Sequence, residues 1–174
     1  MRDPARVMPD LGVHLGVREL RVWHCKYKTL QPIGVLRELR TLVIGSYPDA
    51  DFDAFAQLRK LRYLRVLHLP KVTDLSALAG LESLETLSLE TTPGWDASGK
   101  RTIVESLEPL AGLPRLRHVQ LFGVLPESRS LAALERCAAL VSVRVSKYPK
   151  AEQRRFLETT GLSDAFAPGS PFGG

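Results

Sequence analysis

The sequence predicts an α/β solenoid of about six stacked units, and three observations carry that expectation. Leucine supplies 29 of the 174 residues while isoleucine supplies only Ile33, Ile44 and Ile103. The leucines recur at a fixed spacing. Between the copies the chain passes through short apolar segments that each follow a Ser, Thr or Asp. Self-similarity of this kind outranks any local helix or strand signal, because such a unit buries its apolar side only against its neighbours.

The clearest unit reads Leu36, Leu39, Leu42 and Ile44, and the same spacing returns in Leu61, Leu64, Leu67 and Leu69. It returns again in Leu81, Leu84, Leu87 and Leu89, and in Leu113, Leu116, Val119 and Leu121. Two degenerate copies flank these, one through Val17, Leu20, Trp23 and Cys25, the other through Cys137, Leu140, Val143 and Val145. Counted from Trp23, Leu42, Leu67, Leu87, Val119 and Val143, the periods are 19, 25, 20, 32 and 24 residues.

These units resemble leucine-rich repeats, in particular the short bacterial repeats of internalin-like and phosphatase-regulator-like proteins, over about residues 15 to 148. VTDLSALAGLESLETLSL carries the likeness most fully. The resemblance implies a curved right-handed horseshoe with a parallel concave β-sheet and short helical or irregular convex segments. It also implies a non-catalytic module that recognises a protein or peptide. The convex segments TLQPIGVL, TDLSALAGL, SLEPLAGL and SLAALERC each begin with the chemistry of an N-capped short helix. One departure stands out. The family places Asn three residues after the strand, but here those positions are Lys28, Tyr47, Val72, Thr92, Val124 and Tyr148, and the chain contains no Asn. Less regular convex turns are expected as a result, since buried amides must find other partners.

A solenoid exposes apolar ends unless capping units cover them. Residues 1–16 are read as an N-terminal cap, with Leu11 and Leu15 over the first strand. Residues 17–148 form the solenoid, with an insertion at about 91–106. A capping helix is expected over 149–163, with Pro149 at its start and Gly161 at its stop. Residues 164–174 read as a flexible tail.

Apolar content of 44% and charged content of 25% exclude wholesale disorder. No stretch approaches the roughly 18 apolar residues of a membrane span, and Pro9, Asp10 and His14 interrupt any signal-like apolar run. Cys25 and Cys137 sit in the first and sixth units, about 24 Å apart at about 4.8 Å per strand, too far for a disulfide. Both are read as buried residues of a cytoplasmic protein. Phosphate-cradling glycine loops, paired metal-binding histidines, CxxC and GxSxG are all missing. No catalytic residue, metal or cofactor is therefore assigned.

Strand alternation makes a concave row readable. Its central positions are read as His24, Val43, His68, Ser88, Gln120 and Arg144. Val22, Thr41, Val66, Thr86, His118 and Ser142 run on one side. Lys26, Gly45, Pro70, Glu90, Phe122 and Ser146 run on the other. The mixture suits a protein or peptide better than nucleic acid, whose surfaces carry more stacking aromatics and denser positive charge.

Charge is uneven, with residues 1–72 at +6 and residues 73–174 at −1. Arg18, Arg37 and Arg62 are read as one stacked column and Arg21, Arg40 and Arg65 as the next, both turning to Glu at Glu82 and Glu85. They form either an ordinary solvated edge or a dock for an acidic partner or nucleic acid. Trp95, on the insertion, is either an exposed binding anchor or a cover for the convex side. A structural or regulatory repeat domain of a larger protein is the remaining alternative.

Overall fold

In the computed structural model, residues 5–23, 25–92, 94 and 97–168 are described. Six parallel strands form one sheet in the order β1 (Glu19–Val22), β2 (Thr41–Ile44), β3 (Tyr63–Leu67), β4 (Thr86–Glu90), β6 (His118–Phe122) and β8 (Ser142–Val145). Each strand pairs with the strand of the next unit. β5 (Thr102–Val104) and β7 (Val124–Pro126) make a separate parallel pair.

The strand register corrects the repeat alignment. Leu20, Leu42, Leu64, Leu87, Val119 and Val143 lie side by side, which gives periods of 22, 22, 23, 32 and 24. Units one and three therefore stand three residues earlier than the leucine spacing suggests. In unit three, Leu58, Leu61, Leu64 and Leu67 continue the three-residue beat, so two frames fit the leucines. The alternating position settles the choice: Val66 is completely buried, whereas Leu67 is partly exposed beside Glu90. In unit one, Val22 is buried and Trp23 is not.

The convex side is more regular than its lack of Asn suggests. Five units carry a short 3₁₀ or α turn, at Gln31–Val35, Asp53–Phe55, Ser76–Gly80, Glu108–Ala111 and Ala132–Arg136. Every turn is preceded by a side-chain oxygen that accepts the backbone N–H two residues on: Thr29 from Gln31, Asp51 from Asp53, Asp74 from Ser76, Ser106 from Glu108 and Ser130 from Ala132. These local bonds fix where the chain turns back. The turn then drops Ile33, Phe55, Leu78, Leu110 or Leu134 into the core, each fully buried.

In the true register the positions of the family's Asn ladder hold Cys25, Tyr47, Leu69, Thr92, Val124 and Tyr148. An apolar and aromatic column replaces the amides. The Tyr47 hydroxyl donates to the Asp51 carbonyl at 2.7 Å and its ring packs on Phe52 and Phe55, with centroids 5.0 and 5.5 Å away. Burial raises the Tyr47 pKa, reinforced by Asp49, Asp51 and Asp53. Backbone groups nearby are paired by other means: His68 N–H donates to the Glu90 carbonyl, Tyr47 N–H to the His68 carbonyl and Thr91 N–H to the Phe122 carbonyl.

The insertion does not simply loop out. Its second half becomes β5, and Thr102 donates its hydroxyl to the Leu69 carbonyl while Val104 is fully buried. Gly123 makes this possible. At φ +66 it turns the chain from β6 into β7, and a Cβ there would meet Thr91 Oγ1 at 2.2 Å.

At the N-terminal end Met8 and Leu11 are buried, but Leu15 is 54% exposed and does not cover β1. At the other end the helix Lys150–Thr160 stops at Gly161, which is left-handed. Phe156 anchors it in the core. Glu152 accepts from the Leu131 N–H at 2.6 Å and pairs with Arg155, which also reaches Glu135. Residues 164–165, read from sequence as the start of the tail, run beside β8: Asp164 bridges Val143, and Ala165 N–H donates to the Val143 carbonyl.

Two outcomes test this architecture. Val66→Ala should destabilise the protein by about 2 kcal/mol in chemical denaturation, while Leu67→Ala, though it deletes more atoms, should cost under about 1 kcal/mol. Reversal of that order would restore the other frame. The Glu152 carboxyl is held down to about 2, first by its hydrogen bond to Arg155. Its folded value lies below the ordinary 4.5, so its contribution is complete above that value and is lost as the pH falls toward 2. Glu152→Gln should flatten acid unfolding over that window.

Candidate functional site

The concave face follows from the register. Its central row is Arg21, Val43, Arg65, Ser88, Gln120 and Arg144. The row before it is Glu19, Thr41, Tyr63, Thr86, His118 and Ser142. After it come Gly45, with the Trp23 ring packed on it, then Leu67, Glu90 and Phe122.

Four of the six residues read as central from sequence, Val43, Ser88, Gln120 and Arg144, hold that place, and Phe122 holds its flanking one. His68 does not. It lies past the end of β3 with φ +57, at the same repeat position as Gly123 and Lys147, which also have positive φ. This is the corner where the chain leaves the sheet, and its place in the central row belongs to Arg65. His24 lies outside the described residues, and Arg21 takes the central position of its unit. Lys26 is exposed beyond β1, and the flanking position assigned to it is occupied by Trp23. Val22 and Val66 point into the core, so Glu19 and Tyr63 replace them on the face.

The arginine columns rearrange in the same way. Arg18, Arg40, Arg62, Glu85, Arg117 and Val141 form one continuous column, each backbone N–H donating to the previous member's carbonyl. Arg21 and Arg65 belong to the concave centre. Arg37 stands one repeat from Arg59 and two from Glu82. Trp95 lies outside the described residues.

A polar network spans three strands of the face. Arg65 grips Glu90 through two bonds, Nε to Oε1 at 2.8 Å and Nη2 to Oε2 at 3.3 Å. Ser88 donates to Glu90 Oε1 at 2.6 Å, and Gln120 Nε2 donates to Ser88 Oγ at 3.4 Å. Ser88 is fully buried, so its hydroxyl is oriented before any ligand arrives. Half-buried Tyr63, Leu67 and Phe122 surround the network, and the Arg144 guanidinium lies 5.4 Å from the Phe122 ring centre. Burial raises the Tyr63 pKa, opposed by Arg65.

His118 Nδ1 lies 2.8 Å from Ser142 Oγ. Burial lowers the imidazole pKa, helped by Arg117 and opposed by Glu85. The pair has the reach of a base and its nucleophile. Both backbone N–H groups beside it are committed to the sheet, His118 to Glu85 and Ser142 to Arg117, so neither can act as an oxyanion donor. Among the described residues no cluster of three or more His, Cys, Asp or Glu could hold a metal ion.

The thiols differ. Cys137 is buried, its Sγ donates to the Leu110 carbonyl at 3.3 Å, and burial pushes its pKa up to about 11. Cys25 is half-buried against the core just after β1, and the inward strand position that the leucine spacing gave it belongs to Val22.

No family model matches the chain, and no curated protein does either. Solved structures do. Internalin C2 from Listeria monocytogenes superposes with a TM-score of 0.58 at 21% identity, covering 78% of this chain and 54% of its own. Internalin F from the same organism gives 0.64 at 20% identity, covering 88% and 43%. The fold is thus a leucine-rich-repeat solenoid of internalin-like form, and the chain spans about half the length of these neighbours. Among the described residues no helix is long and apolar enough to cross a membrane.

A thiol-specific reagent applied to the native protein should modify Cys25 well before Cys137, and Cys25→Ser should remove the fast phase. Equal rates would contradict the burial of Cys137.

Proposed function

We propose that this chain is a non-catalytic binding module that recognises a protein or peptide across its concave sheet. One observation carries the reading: the Arg65–Glu90–Ser88–Gln120 network is organised across three strands and bordered by half-buried Tyr63, Leu67 and Phe122. Interfaces concentrate their energy in such arrangements, where anchored polar groups sit beside aromatic and aliphatic contacts that exclude water. Tyr63, Phe122, Arg65 and Arg144 are of residue types enriched in interface cores.

A hydrolytic role for the Ser142–His118 pair has less support. The pair lies on an open sheet whose adjacent N–H groups are already used, and a low-dielectric pocket with preorganised donors is what such chemistry requires. A reducing, cytoplasmic setting agrees with Cys25 and Cys137 standing in different units with no disulfide between them.

The test is affinity capture from native cell extract at low and moderate salt, with the wild type beside a Tyr63→Ala/Phe122→Ala variant. A partner retained by the wild type at both salt concentrations and lost by the variant, with thermal stability intact, supports the concave face. Equal retention by both proteins overturns it.

A further inference from the structure

The leading edge of the sheet, where the chain enters each strand, carries two adjoining basic depressions. The first, of about 340 Å³, is lined by Arg40, Lys60, Arg62, Ser83 and Arg115. The second, of about 430 Å³, shares Arg62 and Arg115 and adds Arg117, Glu85, Pro114 and Ala139.

The repeat explains both. Two positions before the Arg18–Arg40–Arg62–Glu85–Arg117–Val141 column, successive units carry Glu38, Lys60, Ser83, Arg115 and Ala139. A short side chain therefore falls after each long cation. Ser83 leaves a gap between Lys60 and Arg115, and Ala139 leaves the next gap beyond Arg115. Arg62 closes both from the neighbouring column.

Charge in the first depression is only partly compensated. Lys60 pairs with Glu38 at 2.5 Å and Arg62 with Glu85 at 2.7 Å. Arg40 and Arg115 form no ion pair with any described residue. Arg40, Arg115 and Ser83 thus line one open recess with Lys60 and Arg62, and no acidic residue lines it; Glu38, which pairs with Lys60, also feels the charge of Arg40.

We infer that this edge is a second binding site, which takes an acidic protein segment with a carboxylate in the first depression and its flanking residues along the neighbouring arginines. Glu85, which lines the second depression, and Glu38 beside the first would repel the continuous charge of a nucleic-acid backbone, whereas a carboxylate in the first depression meets no acidic lining residue. The site is separate from the concave face and does not depend on that face binding anything.

Fluorescence anisotropy with a fluorescein-labelled dodecapeptide carrying Glu at every third position, beside its Gln counterpart and labelled dT12, tests the assignment. The Glu peptide should bind in low salt and the Gln peptide should not. Arg40→Ser/Arg115→Ser should weaken it about tenfold, the effect of two exposed charge contacts. Lys150→Ser/Arg154→Ser, which removes the same charge from the distant helix, should leave affinity unchanged, as should the Tyr63→Ala/Phe122→Ala variant. Absence of binding overturns the proposal. So does equal weakening by the two charge-removing variants, which would indicate net charge alone, or tighter binding of dT12 with the same dependence on Arg40 and Arg115.

Discussion

Every surface of this molecule depends on one constraint, the in-register stacking of a single inward column from unit to unit. Leu20, Leu42, Leu64, Leu87, Val119 and Val143 follow one another across parallel strands, and the four central members are completely buried. Burial of one such side chain stabilises by about 1.5 to 3 kcal/mol. Because side chains alternate along a strand, a shift of one residue in any unit would turn its whole inward set outward. The concave rows and the leading-edge columns inherit their order from that column.

The same dependence explains what could be read in the sequence. The solenoid, its six units and the polar starts of most convex turns are legible because leucine spacing and Ser, Thr or Asp placement are local signals. Register in units one and three is not, because Leu58, Leu61, Leu64 and Leu67 satisfy the three-residue beat in either frame. The neighbouring convex turns hold the missing signal. Asp51-Phe52-x-x-Phe55 is the aromatic version of Asp74-Leu75-x-x-Leu78, and the oxygens that start the turns, from Thr29 through Asp51 and Asp74, are 22 and 23 residues apart. A search restricted to aliphatic residues passes over it. Once those oxygens set the frame, His68 falls at a corner and Arg65 on the concave centre. The β5–β7 pair was hidden for another reason. It joins two non-consecutive segments through a glycine corner, and no short-range pattern announces such a partner.

Charge shows the difference between composition and placement. A division into +6 and −1 suggests a broad field over the front half, yet much of it is locally neutralised. Arg65 is held by Glu90, Arg62 by Glu85 and Lys60 by Glu38. Around Ser83, where a short side chain interrupts a row of long ones, Arg40 and Arg115 line a recess with no acidic residue in its lining. A positive-to-negative switch in sequence thus becomes, in the fold, a set of paired charges around a small recess.

These ion pairs share a property that net charge conceals. Lys60–Glu38, Arg62–Glu85, Arg65–Glu90, Arg136–Glu108 and Arg155–Glu135 span 22, 23, 25, 28 and 20 residues. The first four separations are close to the length of one unit, and each bond ties a unit to its neighbour. Arg155 ties the C-terminal helix to the sixth unit in the same manner. Exposed pairs of this kind contribute about 0 to 1 kcal/mol each, too little to hold a stack together. Their effect lies in the alternatives they oppose. The leucines of successive units are nearly interchangeable, so apolar burial alone discriminates weakly between the native neighbour and a unit displaced along the chain. Charge does not share that degeneracy. A displacement that set Arg117 beside Arg62 in place of Glu85 would leave Arg62 with arginines on both sides and no carboxylate partner. The leucines supply the stability of the stack, and the ion pairs between units favour one order of its units.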